Sequence, residues 1–394
     1  MPASQPLLLT RFSMTPPRYE ASQARILEWL ADAHAESEAA LANLSSDDRD
    51  ELRVRMGRLI RRCACGPDRI ARRGFSFPGP YAASWDEDPI YDLPRFPHGA
   101  GASTRSRCYA EIIDAYFEAT YASETAPPRD LLHVTCTGYV SPSGAQKLVA
   151  GRGWGALTRV THAYHMGCYA ALPAVRVAAG LLASEDARLR APAAARVDVV
   201  HTELCSLHLD PGAHSIEQLV VQSLFADGLI RYSLVPAALH AGPGLQLLVG
   251  HEQILPDTAA CMAWVAGDHG MQMTLARDVP DRIAGALRAF VIELYRRAGI
   301  AVAYTRGSVF AVHPGGPKII DRVREVLELS EAQVQHSRGV LLDHGNMSSA
   351  TLPHIWMRVL DDATVAPGTL VASLAFGPGL TVCGALFEKR GPTR

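Results

Sequence analysis

Short β-branched runs alternate along this chain with longer amphipathic stretches, and that alternation constrains the fold more than any other feature. LLHVTCTG is one such run; RVTHAYHMG precedes the Ala-rich YAALPAVRVAAGLLAS, ARVDVVHTELCSL follows, and SVFAVHPGG leads into PKIIDRVREVLELS. Strands that alternate with helices predict an α/β fold containing parallel strands. In the last of those helices Ile319, Ile320, Val323, Val326 and Leu327 form one apolar stripe. Nearer the start, Ile26, Leu27, Leu30 and Ala31 predict a helix within residues 20–43 after a Thr-Pro-Pro loop, so the chain opens strand, loop, helix. Residues 75–104, rich in Pro, Gly and aromatics, predict a long irregular excursion whose rings pack down locally. Two strand–turn–helix units look like halves of a duplication, but their residues differ too much to demonstrate it.

Charge and cysteine usage narrow the partners. The 394 residues are 48% hydrophobic, ample for a large core, and 38 basic against 40 acidic residues leave no overall field for nucleic acid or a membrane surface. Residues 1–20 hold only a three-leucine run, too short for a signal-peptide core or a span, which reads as a cytoplasmic protein. Cysteines at 63, 65, 108, 136, 168, 205, 261 and 383 have the spacing of neither a disulfide scaffold nor a paired zinc site. Cys63 and Cys65 therefore read as two half-buried thiols, and no metal is expected.

Three residues carry the chemistry. Cys168 follows a strand-like run ending at Gly167 and precedes an Ala-rich helical run. At such a junction the helix N-terminus favours thiolate, although Pro173 allows the long helix to begin later and leave Cys168 on a separate turn. His313 stands between the apolar VFAV and a Pro-Gly-Gly turn, at a strand end where sites gather. Asn346, in DHGNMSSAT, reads locally as a helix cap. Taken singly, an apolar cysteine beside small residues such as Cys168 is more often packing than chemistry. Together, a thiolate, an imidazole and a carboxamide are the groups that thioester condensation requires: one accepts the acyl chain, and two donate to the oxygen that becomes negative when a malonyl-type extender loses carbon dioxide.

The ordered set HMGCYAALPAVRVA, SLFADG, VHPGGPKIIDRV, GNMSSAT and AFGPGLTV resembles the chalcone synthase superfamily, the type III polyketide synthases. With VTCTG and VVHTELCSL, the likeness runs from about Leu131 to Leu386, and the residues before it match in outline. The resemblance implies a five-layered αβαβα thiolase fold of two duplicated halves, residues 1–250 carrying the cysteine and 251–394 the histidine and asparagine. It also implies an intimate homodimer and a Cys-His-Asn centre at the base of a pantetheine tunnel. Cys168 is then the acylated nucleophile, His313 its ion-pair partner and a donor to the extender carbonyl, and Asn346 the second donor. Phe225 becomes a gatekeeper between tunnel and cavity, and Gly377, Pro378 and Gly379 scaffold the cavity floor.

Met273 stands where plant members of the family have a second gatekeeper phenylalanine, so the gate is expected to pass a longer or more flexible acyl chain. Thr137, Cys205 and His208 fall at cavity-lining positions; His208 is either a proton carrier or a satisfied structural donor. Glu203 matches a buried family carboxylate, either a base in ring closure or a structural acceptor. Pro142 replaces a methionine that reaches across the dimer in plant members. At the tunnel mouth, Arg61 and Arg62, with Arg69, Arg72, Arg73 and Lys318, lie near the family's basic set for CoA phosphates, and their charges equally suit the acidic helix and phosphopantetheine arm of an acyl carrier protein.

The expected activity is that of a bacterial type III polyketide synthase: acyl-CoA and malonyl-CoA as substrates, no permanently bound cofactor, and a pyrone or resorcinol product. Two alternatives stand beside it. One is a stand-alone ketosynthase that joins two carrier-bound β-keto chains into an α-pyrone of an antibiotic pathway; the other is a non-catalytic ketosynthase-like partner subunit, which has no need of Cys168, His313 and Asn346 together.

Overall fold

The structure, a computed structural model, describes residues 5–184 and 195–392. Its first half runs β1 (Leu7–Thr15), β2 (Tyr19–Ser22), α1 (Gln23–Ala42), α2 (Ser46–Cys63), β3 (Arg72–Phe75), α3 (Ala102–Thr120), β4 (Asp130–Thr135) and α4 (Gly144–Gly151). There follow β5 (Arg159–Tyr164), α5 (Ala171–Ala183), β6 (Val197–Leu204), α6 (Ile216–Leu224) and β7 (Asp227–Pro236). The second half is β8 (Gly244–Ile254), β9 (Met262–Gly267), β10 (Gly270–Leu275), α7 (Val279–Arg297), β11 (Val309–Val312), α8 (Pro317–Leu327), α9 (Glu331–His344), α10 (Thr351–Asp361), β12 (Leu370–Gly377) and β13 (Thr381–Arg390). The helix expected within 20–43 is α1, capped by the Ser22 hydroxyl, with Ile26, Leu27, Leu30 and Ala31 buried. The irregular excursion holds two 3₁₀ turns, and its rings pack on Trp29 and on one another.

Strand direction supplies the evidence for duplication that residue identity lacks. Nine strands hydrogen-bond in the order β5-β4-β6-β7-β1-β8-β13-β12-β11. In the first half β4 and β6 are parallel, while β6–β7 and β7–β1 are antiparallel. In the second, β11 and β12 are parallel, while β12–β13 and β13–β8 are antiparallel. The order is thus mirrored about the β1–β8 pair, with β4 answering to β11, β6 to β12 and β7 to β13. The boundary expected at residue 250 falls inside β8, whose whole length belongs by topology to the second half.

Alternation along the strands produces the layers, because successive side chains point to opposite faces. Leu132 and Val134 of β4 and Val309 and Ala311 of β11 share one core with Val175 of α5 and Ile355 of α10. The opposite face of the first half, with Leu131 and Val200, packs on Ile113 and Phe117 of α3; that of the second, with Phe310 and Val312, packs on Leu287 of α7 and Ile320 of α8. Helices, sheet, the central α5 and α10, sheet, and helices make the five layers. Trp356 of α10 anchors the middle one, fully buried with its indole N–H on Ser373 Oγ at 2.6 Å. Its truncation to alanine costs about 3–5 kcal/mol.

Candidate active site

The duplication brings the three chemical residues together. The helices α5 and α10 occupy the same place in their halves, each feeding the next strand of the sheet core. Cys168 precedes α5 on a separate 3₁₀ turn, Gly167–Tyr169, which places Pro173 within the first turn of α5, where its missing N–H is tolerated. Asn346 precedes α10 by the matching 3₁₀ turn, Ser348–Ala350. His313 follows β11, and Cys136 follows its counterpart β4. Gly167 adopts φ +75° with the Pro378 ring against it, a position that a side chain occupies only with strain.

Cys168, His313, Asn346, Phe225 and Met273 all line one cavity of about 960 Å³. His313 is 1% exposed; its backbone N–H donates to Leu374 O at 2.8 Å, yet neither ring nitrogen has a partner. Asn346 Oδ1 accepts from the Ser348 N–H at 2.9 Å, which turns its Nδ2 outward, also unpartnered. Buried polar groups of this kind cost about 1–3 kcal/mol each, so a pair facing one cavity marks a place prepared for an acceptor. Cys168 Sγ lies 3.8 Å from Ser348 Oγ. Burial pushes its thiol up to about 12 and the His313 imidazole down to about 3, since a low-dielectric wall disfavours either charge. No hydrogen bond joins the Cys168 thiol to either His313 ring nitrogen in this geometry, where burial disfavours the charged form of both.

A second, inner lobe adjoins the first. Cys168, Phe225, Met262 and Met273 line both lobes and form the partition between them, so the two expected gate residues sit at a constriction. The inner lobe has only about 20 Å³ of free space, room for little more than one water-sized group. Trp264 fills it. Its indole N–H donates to Cys136 O at 2.8 Å, and it pairs directly across the β9–β10 hairpin with Met273. Trp264 was not singled out from the sequence; a bulky aromatic near an expected gate position was the available signal.

Of the expected lining residues, Cys205 and Pro378 reach the inner lobe, whereas Thr137, His208, Gly377 and Gly379 line neither. Thr137 Oγ1 instead donates to Glu203 at 2.9 Å. His208 is spent on structure: Nε2 meets Thr137 O at 2.7 Å and Nδ1 accepts from the Met271 N–H at 3.1 Å, which pins the hairpin to the loop after β4. Burial lowers its pKa to about 4, as a neutral imidazole with one donor and one acceptor requires. Glu203 is fully buried and accepts from Ser349 Oγ, the Cys136 N–H and Thr137 Oγ1; burial raises its pKa. Cys136 Sγ lies between that carboxylate and Ser348 Oγ, at 3.4 and 3.1 Å.

At the mouth, Arg62, Arg69 and Lys318 line the outer lobe together with Arg277, which the sequence reading did not single out. Arg61 is exposed but lines neither lobe, Arg72 approaches Glu20 and Asp343 at the surface, and Arg73 is buried. Pro142 is exposed, away from both lobes. Among the described residues no helix is long and apolar enough to cross a membrane, and no group of three or more His, Cys, Asp or Glu is placed to hold a metal ion.

Residues 246–389 match the C-terminal domain of the chalcone and stilbene synthases. The chain is 29% identical over 264 residues to a type III polyketide synthase C of Arabidopsis thaliana, covering 66% of each chain. It is 28% identical over 296 residues to a 1,3,6,8-tetrahydroxynaphthalene synthase of Streptomyces griseus, covering 74% of each. The fold superposes on PKS-I of the brown alga Ectocarpus siliculosus with TM-score 0.80 at 21% identity, over 98% of this chain and 99% of that one. It superposes on the tetrahydroxynaphthalene synthase of Streptomyces coelicolor with TM-score 0.74 at 23% identity, over 97% and 99%. These matches give residues 246–389 as a chalcone and stilbene synthase C-terminal domain and make the chain, in its ordered motifs and duplicated five-layered fold, similar to the type III polyketide synthases, which are acyl-transferring condensing enzymes.

Proposed function

We propose that the chain works as a polyketide-type condensing enzyme with Cys168 as nucleophile. Cys168 Sγ attacks an acyl thioester as its proton passes to His313; the new S–acyl bond replaces the old one and the carrier thiol leaves with a proton. A malonyl-type thioester then loses carbon dioxide, and the electron pair of the broken C–C bond becomes an enolate. Its oxygen is received by the His313 ring N–H and Asn346 Nδ2, the two donors left unpartnered beside the thiol. The enolate carbon attacks the acyl carbonyl, Sγ departs, and a β-ketoacyl thioester results. The convergence of those donors on the Cys168 cavity is the observation that carries this reading, and acylation of Cys168 tests it.

Coenzyme A or phosphopantetheine thioesters suit the apolar outer lobe, with Arg62, Arg69, Arg277 and Lys318 available for phosphate at its mouth. A homodimer is consistent with β5, an edge strand with one free side and residues no more than half-buried. One observation favours a second reading, in which two carrier-bound β-keto chains are joined into an α-pyrone. The inner lobe is nearly filled while the outer is large, so little room exists for a chain grown in place, and two long arms fit only on the mouth side. A product assay offering malonyl-CoA with acyl-CoA, against paired acyl carrier proteins, separates the two: a pyrone or resorcinol from CoA substrates supports the first, and a joined pyrone from carrier-bound chains alone supports the second.

A further inference from the structure

Arg73 is 4% exposed and makes no ion pair among the described residues. An arginine buried without a carboxylate partner is costly, and here Nη2 is left without a hydrogen bond, so the groups that receive Nε and Nη1 indicate its task. Its Nη1 donates to Gln222 O at 2.8 Å and to Phe225 O at 2.7 Å, at the C-terminal end of α6, where the helix dipole favours a cation. Its Nε donates to Gln23 Oε1 at 2.8 Å, and Gln23 Nε2 in turn donates to Cys65 O at 2.7 Å and Ser223 O at 2.8 Å. Cys65 belongs to the mouth of the outer lobe.

The aliphatic stem of Arg73 lies against Gly345. That glycine has φ +73°, and a Cβ there would come within 2.9 Å of Leu224 O and 3.0 Å of Arg73 Cγ and Cδ. The next residue is Asn346, whose N–H donates to Leu224 O at 2.9 Å. One side chain therefore touches the gate, the segment that presents the amide donor, and, through Gln23, the tunnel mouth.

We propose that Arg73 is a positioning residue that couples the mouth at Cys65 to the Phe225–Asn346 segment and fixes the amide donor for the condensation step. The proposal rests on Asn346 acting as that donor. Arginine suits the position because its planar fork reaches several carbonyls from one place; lysine keeps the charge but offers a single point. Cys168 stands on the 3₁₀ turn before the other central helix, α5, and shares no hydrogen bond with Arg73.

The test uses Arg73→Met and Arg73→Lys in the full chain, with acetyl-CoA for loading and malonyl-CoA for decarboxylation. Loading should stay within about twofold, while decarboxylation falls on the order of 10- to 100-fold, the scale of a donor displaced by about 1 Å. Arg73→Lys should show the same split with a smaller loss, which keeps the test available if Arg73→Met is insoluble. In an Asn346→Ala background, Arg73→Met should cost little more, because both act through one group. Parallel loss of loading and decarboxylation, or full additivity with Asn346→Ala, overturns the proposal. A substrate-independent arm measures amide hydrogen exchange: peptides containing Ala226 and Asn346 should lose protection in Arg73→Lys while those of α10 keep it, and unchanged exchange at the bridge is contrary evidence. Absence of acylation in the unsubstituted protein, by contrast, speaks against the catalytic reading and not against this coupling.

Discussion

Phe225 and Asn346 are joined by an isolated parallel β-bridge: the Ala226 N–H donates to Asn346 O at 2.8 Å and the Asn346 N–H to Leu224 O at 2.9 Å. Two cavity-lining residues, one from each half of the duplication, are thereby held in fixed register. Asn346→Ala removes the carboxamide and keeps the backbone bridge, so loading of Cys168 should be nearly intact while condensation slows by about 10²–10³. Intact-protein mass spectrometry follows loading, and product chromatography follows condensation. Equal loss in both would mean that Asn346 supports the nucleophile directly.

Phe225→Ala should impair extender decarboxylation more than starter loading, because the ring stands on the partition beside Cys168, where an extender carboxylate must pass. Carbon dioxide release from malonyl-CoA is the readout. An unchanged rate returns Phe225 to a packing role.

Trp264→Ala should open the inner lobe and lengthen the product, since the indole is the bulkiest side chain in the wall of a lobe with only about 20 Å³ free. Met273→Phe, on the neighbouring strand position, should disfavour long acyl starters and spare short ones, because a rigid ring replaces a side chain that moves aside. Product masses across a series of acyl-CoA starters give both answers; an unaltered size distribution in Trp264→Ala would place the product elsewhere.

The pH dependence of Cys168 alkylation reports the state of the pair. Burial raises the thiol to about 12, so its protonated form dominates throughout the neutral range, and iodoacetamide labelling should rise about tenfold per pH unit between pH 7 and 9 without levelling. A rate already level at pH 7 would reveal a thiolate–imidazolium pair. Peptide-resolved labelling distinguishes Cys168 from the other seven cysteines.

The parts of the site legible in sequence are those whose residue type and chain position both signal chemistry. Cys168, His313 and Asn346 stand at strand ends and helix entries, and the fold brings them to one cavity because its two halves place equivalent junctions face to face. Arg73 was not legible, because a run of arginines reads as a solvated basic face; nothing local shows that Arg62 lines the cavity, Arg61 points away and Arg73 turns inward. Trp264 was hidden for a related reason: its occupation of the inner lobe depends on how the β9–β10 hairpin is fastened by His208 and Gln218, partners far away in sequence. The αβαβα layering came from the family resemblance, while the mirrored strand order, which shows the duplication physically, exists only in three dimensions.

Acylation of Cys168 underlies every step of the proposed reaction, and mass spectrometry of the intact protein after incubation with acyl thioesters detects it. Acyl-CoA and acyl-carrier-protein donors are offered in parallel, and the modified peptide is mapped. One acyl increment per chain is expected, located on Cys168, lost in Cys168→Ala, and discharged when malonyl thioester is added. An increment on another cysteine, or product formation by Cys168→Ala at the unsubstituted rate, would contradict it.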